Sequence, residues 1–184
     1  MFKERFAEAL DLIQHAFISG MVVNDKELMG LMFINTERSP EPFEPGCLDA
    51  IVVPPNCAVF LPLRQLTKPI AEHYLRYKTI ASKEFEVDYG VAANDVSFAA
   101  MIRLCLNLFD QSTFALRQAK IVLLTDKSTP HAVNSHEHQM ALQKATDLEG
   151  RMVEFYLIPM CDDFDYEPFY KEFLSLARGL FCHQ

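Results

Sequence analysis

Three histidines lie close together in the sequence at His131, His136 and His138, and histidine is a residue type that binds metals and transfers protons. The zinc-protease motif H-E-x-x-H needs a histidine where Met140 stands, so that motif is absent. No set of cysteines or carboxylates with the spacing of zinc ligands accompanies them. We therefore expect solvated histidines at the start of a helix, and an adventitious metal site is the alternative.

A second candidate is Asp126, which follows the β-prone stretch 120–125, with its apolar centre at 121–124, and opens a polar loop. In open α/β sheets, ligands bind at the carboxyl ends of such strands, which makes Asp126 the first binding residue to consider. The alternative is that its side chain only caps the loop. Asp162, Asp163 and Asp165 lack the glycine and the distal glutamate of a calcium-binding EF-hand, so we expect a solvated acidic loop there.

The sequence contains no phosphate-binding loop, no dinucleotide-binding glycine motif and no G-x-S-x-G nucleophile motif. Cys105 lies in an apolar helical segment, where a thiol is expected to be buried and inert. We therefore expect no catalytic residue and no cofactor, and the chain is not predicted to be an enzyme.

Composition limits the class of protein further. The chain has 184 residues, of which 50% are hydrophobic, and its formal net charge is −8, which is unfavourable for a surface that cradles nucleic acid. The five cysteines are an odd number and form no C-x-x-C pair, which indicates a reducing, intracellular environment. No apolar run is long enough to cross a membrane, and the first residues do not resemble a secretory signal.

Alternating apolar segments predict the elements that position these residues. Two continuous apolar runs, 28–34 and 121–124 within the stretch 120–125, indicate strands that are buried on both faces of a parallel sheet. Helix caps are expected at Thr67, at Asn94 or Asp95, and at Ser135. The predicted helices cover 2–19, a segment beginning at 67, 96–109, 136–149 and 166–177; the predicted strands cover 28–34, 47–53, 58–63, 120–125 and 152–158, and a loop is predicted at 82–91.

The helix predicted at 136–149 combines a narrow inner stripe with a wide polar face. Its inner stripe consists of Ala141, Ala145 and Leu148. The polar face, which we expect to bind a partner protein, consists of Gln139, Gln143, Lys144 and Asp147. The alternative is that this face is only solvated.

Four stretches, taken in order, resemble the N-terminal α/β domain of Ku proteins, and in particular that of the smaller Ku subunit. These stretches are 13–33, 95–109, 120–130 and 164–177. The resemblance implies an α/β fold of the von Willebrand factor A type, a Rossmann-like three-layer structure. Its sheet would be mostly parallel, with helices on both faces. Residues 1–184 would form one such domain, and the DNA-encircling β-barrel of the family would lie outside this chain.

The resemblance also implies a function. Ku is a heterodimer that binds DNA ends in double-strand break repair by non-homologous end joining and acts at telomeres. The expected partners are the larger Ku subunit and end-joining or telomere proteins, in the nucleus and without a membrane. DNA would be contacted by the whole complex and little by this domain. The helicase-linked ATPase and lyase activities credited to the family are not supported by these residues.

The sequence departs from the von Willebrand A pattern in two ways. Of the metal-binding positions of that fold, Asp126 matches the last, Asn94 and Asp95 lie near the second, and the first, an Asp-x-Ser-x-Ser motif, is absent. We therefore expect no functional metal and treat Asp126 as a vestigial ligand. The first central strand, between the strands at 28–34 and 120–125, is also missing, with 51–53 as the candidate replacement. The alternative function is a metal-dependent protein-binding module of von Willebrand A type, unrelated to DNA repair.

Overall fold

The computed structural model describes residues 2–23, 27–41, 48, 51–112 and 116–181, which form two compact units, 1–96 and 97–184. The five predicted helices and four of the five predicted strands are present in the predicted order, and a short strand that was not predicted follows the last helix. The first unit contains α1 (Phe2–Val23), β1 (Leu28–Ile34), β2 (Cys57–Gln65) and α2 (Lys68–Asp88). The second contains α3 (Phe98–Asp110), β3 (Ala119–Thr125), α4 (His136–Gly150), β4 (Val153–Pro159), α5 (Tyr170–Ala177) and β5 (Leu180–Phe181).

The first unit packs its two helices against a two-stranded antiparallel sheet. The register of β1 against β2 shifts on either side of Leu31, beside Gly30, where an added Cβ would lie 3.3 Å from the Leu61 carbonyl oxygen. The buried Tyr74 hydroxyl donates to the Leu10 carbonyl at 2.7 Å and so ties α2 to α1. The buried core of this unit consists of Leu10, Phe17, Ala58, Phe60, Leu61, Ile70, Tyr74 and Tyr89.

The prediction of a loop at 82–91 was wrong, because α2 continues to Asp88. Phe85 accounts for the difference: its ring centroid lies 4.6 Å from that of Phe6 and 4.9 Å from that of Phe33. This aromatic contact holds the last turns of the helix on the core, although the surrounding residues are polar.

The second unit contains a three-stranded parallel sheet in the order β3-β4-β5. Residues 119–125 of β3 pair in continuous register with 153–159 of β4, without a bulge. The inward side chains of β4 include Phe155 and Leu157, both fully buried. The Phe155 ring packs against Phe173 of α5, with centroids 5.0 Å apart.

The structure corrects the expectation that the strands at 28–34 and 120–125 are buried on both faces of a parallel sheet. β1 pairs antiparallel with β2, and none of its residues is fully buried. β3 lies in a parallel sheet but is covered on one face. Ile121 and Leu123 are each 8% exposed, whereas Val122 between them is 50% exposed. Burial therefore alternates along β3, as in a strand with only one covered face, although its sequence is continuously apolar at 121–124. An uninterrupted apolar sequence allows burial on both faces but does not require it.

Two predicted helix starts and one predicted strand also differ. The α3 cap is Ser97, whose Oγ accepts from the Ala100 N–H at 3.4 Å, and not Asn94 or Asp95. Helix α5 begins at Tyr170 and not at residue 166, because Pro168 disfavours helical backbone in the residue before it. Of the strand predicted at 47–53, residues 47, 49 and 50 lie outside the described residues, and 51–53 form no strand.

The mixed α/β class is confirmed, with parallel strand pairs in the second unit. Within the described residues, β1 pairs only with β2 and β3 only with β4, so each keeps one unpaired edge there. The candidate replacement strand at 51–53 does not occupy such an edge: Ile51 N donates to the Leu48 carbonyl, and Val52 is 85% exposed. That these residues form a single functional domain stays a prediction.

Candidate docking surface on helix α4

Helix α4 begins where its cap predicts. Ser135 has extended backbone (φ −68°, ψ 166°), and its Oγ accepts a hydrogen bond from the His138 N–H at 3.1 Å. The Ser135 carbonyl accepts from Gln139 N, also at 3.1 Å. At the other end, the Arg151 N–H donates to the Asp147 carbonyl at 3.2 Å. These bonds fix which side chains of the helix face outward.

The inner face of α4 carries the predicted small stripe. Ala141, Ala145 and Leu148 are fully buried, and Leu142 is 8% exposed. Through this face the helix packs against α3, α5 and β4. The two alanines let the neighbouring elements approach closely, which leaves the opposite face of α4 turned to solvent.

His138 corrects the expectation of three solvated histidines, because it is only 2% exposed. Its ring packs edge-on against Phe169, with centroids 5.3 Å apart, and its Nε2 lies 3.9 Å from Glu172 Oε2, beyond hydrogen-bond range. Its Nδ1 has no hydrogen-bond partner in the described part of the chain. His136 is exposed as predicted, and His131 is half-buried, its Nε2 accepting from the Phe98 N–H at 3.1 Å.

The structure places the four predicted partner-binding residues along the outer side of α4 but divides them into two kinds. Gln139 and Gln143 are exposed, and neither side chain makes a hydrogen bond within the described residues. Lys144 and Asp147 are half-buried and bind each other, with Nζ and Oδ2 2.5 Å apart. The two amides are therefore available to a partner, whereas the charges are already neutralised.

Charges at the end of α4 are paired as well. Arg178 binds Glu149 at 3.0 Å, and Arg151 contacts both carboxylate oxygens of Asp110 at 2.8 and 2.9 Å. A bidentate arginine–carboxylate pair adds geometric constraint as well as attraction. These contacts tie the end of the helix to the elements around it.

An uncharged strip remains between the paired charges, from Gln139 through Met140 and Gln143 to Thr146. All four residues are exposed, and Met140 retains 37% of its accessible surface. The strip spans two turns, about 10 Å along the helix axis. Interface centres are depleted of charged residues and enriched in methionine, so this strip has the composition of such a centre.

The carboxyl end of β3 is organised by backbone bonds. Thr125 Oγ1 accepts from Lys127 N at 3.1 Å, and the Thr125 carbonyl accepts from Met160 N at 2.9 Å. The carbonyl of the exposed Asp126 accepts from Cys161 Sγ at 3.6 Å. Among the described residues, no group of three or more histidine, cysteine, aspartate or glutamate side chains could hold a metal ion. The absence of a functional metal stays a prediction, but no such ligand set lies around Asp126 in this part of the chain.

Electrostatics favour an anion at the beginning of α4. The pKa of the exposed Glu137 carboxyl is lowered, chiefly by its backbone N–H, and also by the Ser135 hydroxyl and by His136 and His131. The positive end of the helix dipole acts in the same direction.

These helices and strands form an α/β protein, and comparison with known families is consistent with that fold. Residues 1–180 match the family described as the Ku70/Ku80 N-terminal alpha/beta domain, and the chain belongs to that family. No helix among the described residues has the length and apolarity required to span a membrane.

Two curated relatives place the chain within the family. Over 179 residues it is 55% identical to the Drosophila melanogaster protein named ATP-dependent DNA helicase 2 subunit 1, covering 96% of this chain and 28% of that protein. Over 178 residues it is 23% identical to the Mus musculus protein named X-ray repair cross-complementing protein 6, covering 94% of this chain and 27% of that protein. The chain thus spans less than a third of either relative.

Proposed function

We propose that this chain is the protein-interaction region of a smaller-subunit Ku protein that acts in double-strand break repair by non-homologous end joining and at telomeres. Membership of the Ku N-terminal family and 55% identity to the fly helicase 2 subunit 1 support a Ku role. In this proposal the chain works in the nucleus with the larger Ku subunit and with end-joining or telomere proteins. It carries no catalysis of its own.

The observation that carries the docking proposal is the division of charge on α4. Gln139 and Gln143 are exposed on the same face as Met140, whereas Lys144 is bound to Asp147. A partner that docks here buries uncharged amides and a thioether without having to separate ion pairs, and so avoids the desolvation cost of buried charges. The net charge of −8 supports protein contacts over DNA contacts for this region.

The test uses the full-length subunit assembled with the larger Ku subunit on immobilised DNA ends. The double variant Gln139→Arg/Gln143→Arg introduces two positive charges into the uncharged strip without touching the buried stripe. We expect retention of end-joining proteins on the DNA ends to fall at least tenfold, because unpaired charges at an interface centre cost a few kcal/mol and about 1.4 kcal/mol is a factor of ten in affinity. Binding of the heterodimer to the DNA ends serves as the internal reference and is expected not to change.

The control for position is Asn107→Arg, which places one positive charge, against two in the double variant, at an exposed amide position on α3. It should leave both retention and thermal unfolding as in the unmodified protein. Normal retention of end-joining proteins by the double variant would refute docking through α4. An equal loss of retention in Asn107→Arg would show that added positive charge weakens binding wherever it is placed, and would also argue against docking through α4.

A further inference from the structure

The sequence contains two dipeptides in which a hydroxyl residue precedes proline, Ser39-Pro40 and Thr129-Pro130. Protein kinases that are directed by proline phosphorylate such a hydroxyl when the segment is exposed and its backbone can extend into the kinase active site. Proline also restricts the residue before it to extended conformations, which suits that requirement. The surroundings of the two dipeptides differ in this structure.

Thr129 lies in the loop between β3 and α4, exposed and outside any helix, strand or turn. Neither its side chain nor the backbone of Ser128, Thr129 and Pro130 makes a hydrogen bond within the described part of the chain. Side chains hold the loop on either side of this segment. Ser128 Oγ accepts from Asp165 N at 3.0 Å, and His131 Nε2 accepts from Phe98 N at 3.1 Å. Thr129 is thus exposed, without a hydrogen bond of its own in the described part of the chain, between two residues whose side chains are bound, Ser128 and His131.

Ser39 is exposed too, but the residue before it is held by its backbone. Arg38 N donates to the Tyr89 carbonyl at 2.8 Å, and the Arg38 guanidinium binds the Val87 carbonyl and Glu37. A kinase would have to break these contacts to extend the segment.

The charged residues near Ser39 and Thr129 also differ. Ser39 lies between Glu37 and Glu41, two residues away on either side, whereas Thr129 lies between Lys127 and His131 at the same spacing. A phosphate carries a charge of about −1.5 to −2 at neutral pH, so the two carboxylates repel it at the first position. At the second position Lys127 attracts it, whereas His131 is neutral, because its Nε2 accepts from the Phe98 N–H.

We propose that Thr129 is the phosphoacceptor of a proline-directed protein kinase. In the reaction the Thr129 Oγ1 attacks the γ-phosphorus of ATP, and an O–P bond forms as the bond from that phosphorus to the β–γ bridging oxygen breaks. The hydroxyl proton is released and ADP leaves. The phosphate then lies in the loop that leads into α4, the helix that carries the uncharged strip. Regulation of docking by this charge rests on the function proposed above, whereas the modification itself does not.

The first experiment incubates the full chain with radiolabelled ATP and a purified kinase of the mitogen-activated type, and maps the phosphate by mass spectrometry. We expect about one phosphate per chain, on Thr129. A kinase of this type requires little of its substrate beyond a proline after the hydroxyl residue, here Pro130. Incorporation should fall to the background of heat-inactivated kinase in Thr129→Ala and persist in Ser39→Ala. Thr129→Ser, which restores a hydroxyl, should be phosphorylated and so shows that loss in the alanine variant is not a folding defect.

Phosphate that remains in Thr129→Ala, or an unmodified chain that accepts none, would overturn the assignment. A second experiment compares phosphorylated and unphosphorylated full-length subunit in the retention assay on DNA ends. We expect the phosphorylated form to retain less end-joining protein, and this difference should disappear in Thr129→Ala. Equal retention would overturn the regulatory role and leave the modification site standing. Failure of docking through α4 would appear separately, in the Gln139→Arg/Gln143→Arg variant.

Discussion

Replacement of His138 by leucine should stabilise the second unit, although it removes a buried aromatic contact. The imidazole is 2% exposed, and its Nδ1 has no partner within the described residues. Its Nε2 lies 3.9 Å from Glu172, whose side chain is 64% exposed and remains solvated after the substitution. The substitution therefore breaks no hydrogen bond of this side chain and strands no buried charge.

The magnitude follows from two opposing terms. A buried polar atom without a partner costs about 1–3 kcal/mol, and leucine removes that cost. The edge-on contact with Phe169, at a centroid distance of 5.3 Å, is lost, and such contacts contribute about 0.5–1.5 kcal/mol. The free energy of unfolding should thus rise by about 1 kcal/mol, which for a chain of this size raises Tm by about 2–4 °C.

The assay is urea unfolding followed by circular dichroism, with calorimetry for Tm. His136→Leu is the matched control, since it makes the same change at an exposed position on the same helix, and we expect it to shift stability by less than about 0.5 kcal/mol. A loss of more than about 1 kcal/mol in His138→Leu would refute the reasoning, because it would mean that the imidazole has a buried hydrogen-bond partner.

Three further outcomes are expected. Tyr74→Phe should lower the free energy of unfolding by about 1–2 kcal/mol, because it leaves the buried Leu10 carbonyl without its donor; equal urea midpoints for the two proteins would contradict this. At about pH 8, iodoacetamide should label the half-buried Cys161 well before Cys57, because burial raises the pKa of the Cys57 thiol to about 11 and keeps it protonated; peptide mass spectrometry gives the order, and equal rates would argue against it. Titration of Mg²⁺ by calorimetry should give no heat beyond dilution, and a saturable heat that disappears in Asp126→Ala would revive the metal-dependent alternative.

Local rules predicted much of the second unit. Ser135 caps α4, and the spacing of Ala141, Ala145 and Leu148 gives its buried stripe, because both features depend only on neighbouring residues. The outward position of Gln139 and Gln143 follows directly from that stripe. The candidate docking surface was therefore predictable from sequence as a face of a helix.

Features that depend on distant residues were not predictable in the same way. The burial of His138 depends on Phe169, 31 residues later in the chain, and its polar neighbours gave no sign of it. The last turns of α2 are held by contacts of Phe85 with Phe6 and Phe33. The pairing of Lys144 with Asp147 was allowed by their spacing, but only the structure separates charges bound to each other from charges offered to a partner.

The central claim is that the uncharged strip of α4 contacts another protein, and site-specific cross-linking tests it most directly. A photoreactive benzoyl-phenylalanine is placed at Gln143 or at the control position Asn107 in the full-length subunit, assembled with the larger Ku subunit and purified end-joining proteins on DNA ends. We predict a cross-link to an end-joining protein from position 143 that Gln139→Arg suppresses, and none from position 107. Cross-links of equal yield from both positions, or none from position 143, would contradict the claim.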